Sequence, residues 1–162
     1  MAFDGGQLAA ADPALAWFGP PLPAEVSSTI AELARVQRYD TGDELLREGE
    51  ESRTFAIVRS GRVALSVLVP ERGAVTILTV EPGDIIGWSA LTAPHRATST
   101  ATALEPVELL AFEGAALRGL LRSDCRLAMT VYPRLLQAVS RRLVATREQL
   151  LDLFAAQGET AW

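Results

Sequence analysis

A chain of 162 residues with a net charge of -5, one cysteine, fifteen arginines and no lysine is long enough for one domain with its own core. The negative charge opposes a phosphate backbone, whose affinity depends on neutralisation, and the missing lysine excludes a P-loop lysine, a Schiff base and a Ser-Lys nucleophile. Cys125 alone excludes an internal disulfide and a four-thiolate iron–sulfur cluster. No apolar run reaches the ~18 to 20 residues that span a bilayer, and Met1 to Ala11 carries Asp4 but no positive charge, so no secretion signal is read there. These features predict a cytoplasmic protein with neither nucleic acid nor membrane as partner.

Residues 1–23 are rich in Ala, Gly and Pro, and read as a loose lead-in whose anchors, Trp17 and Phe18, dock on the body. From Ala24 to Val36 the spacing of Val26, Ile30, Leu33 and Ala34 predicts a short amphipathic helix, started by Pro23 or Ser27. Beyond Arg38, runs of β-branched residues are separated by turns at Gly42, Gly61, Gly73 and Pro82-Gly83. Strands are predicted at Phe55 to Arg59, Val63 to Val69, Val75 to Val80, Ser99 to Ala103 and Val107 to Phe112. The expected fold is mainly β with flanking helices: an eight-stranded jelly-roll barrel, a double-stranded β-helix, with an N-terminal helix and a long C-terminal one. The barrel and its short helices occupy 24–123.

A short helix runs from Glu113 to about Leu121, and a long one over 124–157 starts at a cap on Ser123 or Asp124. In the long helix Met129, Tyr132, Leu136, Val139, Leu143, Thr146, Leu150 and Leu153 form a heptad seam that predicts a homodimer. Pro133 removes a backbone donor and predicts a kink or break near Met129 to Tyr132. Arg134, Arg141, Arg142 and Arg147 flank the seam in positions that usually solubilise it.

Four segments carry a resemblance. They are Thr41-Gly42-Asp43-Glu44-Leu45-Leu46-Arg47-Glu48-Gly49-Glu50, Phe55 to Val63 with Ser60-Gly61 at its turn, Pro82-Gly83-Asp84-Ile85-Ile86-Gly87, and Leu143 to Leu153. In this order they resemble the cyclic-nucleotide-binding domain of the catabolite-activator and fumarate-nitrate-regulator family, and the last resembles short bacterial proteins that carry this domain and no helix-turn-helix. The resemblance covers Trp17 to Phe154 and implies a ligand cassette after Gly87, where a short helix and backbone donors hold a cyclic phosphate, an arginine neutralises it and a glutamate grips the ribose.

The implied ligand-binding residues are Gly87, Trp88, Ser89, Ala90, Leu91, Arg96, Ala97, Thr98 and Ser99. Trp88 stands at the position of the ribose glutamate and accepts no hydrogen bond, which predicts weakened cyclic AMP binding. Counting back from Ala103, Ala97 holds the place of the arginine, and a bulge would be needed to bring Arg96 there. Thr98 and Ser99 supply flanking hydroxyls.

A lone His95 beside Pro94 does not make the histidine cluster of a metal-dependent cupin, so no metal or other cofactor is expected, and no catalytic residues are. The acidic run Asp43, Glu44, Glu48, Glu50 and Glu51 reads as a solvated edge. Two roles follow. One is a non-enzymatic regulatory sensor, dimeric through Leu136, Val139, Leu143, Leu150 and Leu153, that binds a small anion. The other is a ligand-free adaptor that docks a partner protein.

Overall fold

The computed structural model describes residues 2–4, 12–19 and 22–158. The rest of the 1–23 lead-in lies outside the described residues. Strand β1 (Ala2–Asp4) is followed by a 3-10 helix, Pro13–Phe18. Its start follows from local chemistry: Pro13 needs no hydrogen-bonding partner for its nitrogen, and Asp12 Oδ1 accepts from the Ala14 amide at 2.9 Å. The expected docking of the two aromatics is seen. Phe18 is fully buried and meets Phe112 edge-on at 5.2 Å, while Trp17 packs on Phe55 at 5.0 Å.

Helix α1 covers Ala24–Leu33, not Ala24 to Val36. Ala34 turns to an extended conformation, and Ala34–Tyr39 is strand β2, an element the sequence reading missed. Ala34 and Val36 suit either period, because one sits four residues after Ile30 and the two lie two apart. Tertiary pairing decides: β2 runs antiparallel to β9 (Val107–Glu113) from Ala34↔Phe112 to Tyr39↔Val107.

The remaining strands are β3 (Glu44–Leu46), β4 (Thr54–Ser60), β5 (Val63–Val69), β6 (Gly73–Val80), β7 (Ile85–Ile86) and β8 (Thr100–Ala103). Two antiparallel sheets, in the orders β1-β2-β9-β4-β7 and β3-β8-β5-β6, form the jelly roll. Eight strands follow α1 as expected, and β1 adds an edge to the first sheet.

Strands β4 and β9 are buried on both faces, so Phe55 to Val58 and Leu109 to Phe112 read as continuous apolar runs. Phe55, Ile57, Leu110 and Phe112 face the helices, whereas Ala56, Val58, Leu109 and Ala111 face the second sheet. These two strands therefore separate a core under the helices from a core inside the barrel.

Helix α2 (Gly114–Ser123) is capped by Glu113, whose side chain accepts from the Ala116 amide at 2.9 Å. Helix α3 (Cys125–Gly158) is capped by Asp124, which accepts from the amides of Arg126 and Leu127 at 3.0 and 2.9 Å. Leu127, Val131, Leu135 and Ala138 bury one stripe of α3 against the first core. The expected break at Pro133 does not occur: the helix is continuous through it. Pro133 faces solvent, and buried Val131 and Leu135 on either side hold the helix to the body across the missing hydrogen bond.

Candidate ligand-binding site

The cassette begins where β7 ends. Gly87 takes a left-handed conformation at φ 68°, and a Cβ there would lie 2.1 Å from the Thr54 carbonyl oxygen. Only glycine fits both the conformation and the space. The turn launches the 3-10 helix Trp88–Leu91, in which Ser89, Ala90 and Leu91 are buried. Arg118 of α2 donates to the Ala90 carbonyl and fixes the far end of this helix.

From Thr92 to Ser99 the chain is held by backbone bonds to the β3–β4 connection: Ser52 N donates to His95 O at 2.8 Å, Ala97 N to Glu50 O at 2.9 Å and Gly49 N to Ala97 O at 2.8 Å. His95 Nδ1 lies 3.2 Å from the Ser89 carbonyl. Among the described residues no cluster of His, Cys, Asp and Glu is arranged to hold a metal ion.

A cavity of about 10 Å³ is lined by Leu46 and Leu65, by Gly87, Trp88 and Ser89, by Ala97, Thr98 and Ser99, and by Arg142. That volume barely meets the ~10–15 Å³ a single water needs. Ser89 is 4% exposed. Arg142 reaches the cavity from α3 and donates to the Ile85 carbonyl. Burial pulls its guanidinium down to about 10, with Arg141 adding to the effect and Asp84 opposing it. It remains charged at neutral pH. Asp84 is paired instead with Arg141 at 3.3 Å.

Of the residues expected from sequence, Gly87, Trp88, Ser89, Ala97, Thr98 and Ser99 meet at this cavity. Ala90 and Leu91 lie beneath it in the first core. Arg96 stands outside: its side chain is exposed and donates to Gly49 O at 2.8 Å, while Ala97 faces inward.

Sequence reasoning missed Arg142 by treating it as a solubilising flank of the seam. A signal was present, because Leu127, Val131, Leu135, Ala138 and Arg142 continue one stripe at steps of three and four. Arg134 is likewise not a free solubilising group, since it donates to the carbonyls of Ala16 and Trp17 at 3.2 and 2.9 Å.

A larger cavity of about 410 Å³ lies between the Pro13–Phe18 helix and β4, beside Asp12, Arg59, Pro82, Gly83 and Glu108. Arg59 is neutralised there by Asp12 at 2.7 Å and by Glu108. This groove joins elements through a closed charge network, whereas at the cassette cavity no carboxylate among the described residues is ion-paired with Arg142.

The two-sheet jelly roll, the glycine-launched 3-10 helix and the long C-terminal helix define the class of fold. The model of the cyclic nucleotide-binding domain matches residues 36–124, more than half of the chain. The chain belongs to that family. It is 36% identical over 94 residues to the acetyltransferase Pat of Mycolicibacterium smegmatis, a match covering 58% of this chain and 28% of that protein. The chain thus spans less than a third of the curated relatives it matches.

Among solved structures, a protein of Geobacter metallireducens GS-15 described as cyclic nucleotide-binding superimposes with a TM-score of 0.68 at 28% identity, over 78% of this chain and 91% of the other. The catabolite activator protein of Thermus thermophilus superimposes with a TM-score of 0.66 at 26% identity, over 87% and 62%.

Proposed function

We propose that this domain is a non-enzymatic regulatory sensor that binds a small anion, a cyclic nucleotide or a related phosphate, in the cassette cavity. Arg142 is the observation that carries the reading. A charged guanidinium half-buried beside a cavity, with a backbone carbonyl as its hydrogen-bonding partner among the described residues, is poised for an anion. Ser89 and Gly87 line the same cavity. In this role Arg142, not Arg96, is the counter-ion, and Trp88 replaces a ribose-gripping acid, so the cassette departs from the family pattern.

The same helix extends this role to a dimer. Met129, Leu136 and Leu143 are 76%, 70% and 70% exposed on the face of α3 opposite the core, with Leu150 continuing the row. A second copy packed along that seam would couple ligand entry at Arg142 to the pairing of the helices. The acetyltransferase activity named for the Mycolicibacterium relative is not carried over, since the match covers a minor part of that protein.

The second reading, a ligand-free adaptor docking a partner protein through α3, is favoured by the small volume of the cavity. Calorimetry with cyclic AMP and cyclic GMP separates the two. Binding by the wild type that weakens about ten- to a hundredfold in Arg142→Gln, the value of a charge-assisted hydrogen bond, and that persists in Arg96→Ala, is expected for the sensor. Silence from the wild type with binding gained in Trp88→Glu identifies the adaptor.

A further inference from the structure

We infer that the Pro13–Phe18 helix is a strap that seats α3 on the first sheet, so that the ion pair at its head governs how firmly α3 is held. The strap does not depend on any ligand. Asp12 is fixed through both carboxylate oxygens: Oδ1 accepts from the Ala14 amide at 2.9 Å, and Oδ2 meets Arg59 of β4 at 2.7 Å. The Asp12 side chain is 6% exposed, and a charge so covered is held in place by its partner. This latch forms part of the wall of the 410 Å³ groove.

The tail of the strap is fastened to α3. The last carbonyls of a helix lack partners within it, and Arg134 donates to those of Ala16 and Trp17 at 3.2 and 2.9 Å. Gly19 follows at φ 134°, and a Cβ there would lie 2.4 Å from Thr130 Cγ2, so the chain leaves the strap in direct contact with α3. Between the two ends, Trp17 and Phe18 pack their rings on Phe55 and Phe112 of the first sheet. The side chains of the strap thus grip the sheet, and its backbone grips the helix. No hydrogen bond or ion pair among the described residues joins Asp12 or Arg59 to α3. An effect of the latch on α3 must therefore pass through the strap, and packed elements pass on a displacement because they do not deform gradually.

Hydrogen exchange on the full chain tests this. Asp12→Asn keeps an oxygen for the Ala14 amide and removes only the charge. It is expected to speed exchange of the α3 amides between Val131 and Ala138 by about tenfold or more while β5 and β8 stay unchanged. Arg134→Met cuts the other end. If both ends act through one strap, the double variant exchanges in α3 no more than about twofold faster than the faster single variant, because a strap already loose has little left to lose. Three results overturn the inference: a rise in Asp12→Asn confined to the strap and β4, a rise shared equally by β5 and β8, or single effects that multiply in the double variant.

Discussion

Arg142 holds a charge where the fold would be better served by carbon. It continues the stripe that Leu135 and Ala138 bury, and part of its solvation is exchanged for one carbonyl. Replacing such a charge with an apolar side chain of similar length is often neutral or stabilising, by up to about 1–4 kcal/mol. Arg142→Met is therefore expected to unfold thermally no earlier than the wild type, while anion binding is lost; early unfolding with affinity retained would place the side chain in a purely structural role.

Acidity sharpens the test. Burial holds the folded-state value at about 10, below the unfolded one, so the charged form costs stability near neutrality and that cost eases as pH rises past about 10. Affinity for a phosphate should do the opposite, steady near neutrality and falling as the guanidinium loses its proton. Titrations of both against pH measure the two slopes.

Gly87 makes a second demand at this scale. Gly87→Ala combines a left-handed backbone, a strain of about 1–3 kcal/mol, with a collision against the β4 backbone. Gly83→Ala has the positive φ but open space around it. Urea unfolding is expected to show the larger loss at Gly87, and equal losses would mean that the collision relaxes.

Elements were legible where periodicity or capping is local. Strands β4, β5, β6, β8 and β9 fell within a residue or two of their expected bounds, while β7 had none assigned, and Asp124 caps α3 as its chemistry predicts. The boundary between α1 and β2 was not legible, because Ala34 and Val36 are compatible with both periods and the choice is made by β9, more than seventy residues on. Of the kink or break expected at Pro133, the break is absent for a related reason. A break reckons one lost hydrogen bond and leaves out the packing of Val131 and Leu135, across which the helix remains one element.

The cassette was half legible. Gly87 to Ser89 and Ala97 to Ser99 lie close together in sequence and gather at the cavity. The direction in which Arg96 points depends on its bridge to the β3–β4 connection, which no count along the cassette reveals.

At the scale of the molecule, the seam on α3 predicts assembly. Leu136 and Leu143 are largely exposed, so Leu136→Glu with Leu143→Glu is expected to halve the mass measured by light scattering without altering the circular dichroism. A wild type that is already monomeric, or a double variant that stays dimeric, removes the proposed dimer. The side chain of Leu153, also expected in the seam, lies outside the described residues.

What local chemistry settled was the inventory: a β-rich domain, its turns, its caps, an apolar face on α3 and the motifs of a cyclic nucleotide-binding domain. These are properties of neighbours along the chain, where period and turn preference act. What folding alone settled was which residues meet. Arg142 and Ile85 are 57 residues apart, and a helical period shows that a side chain faces inward without showing what it will face.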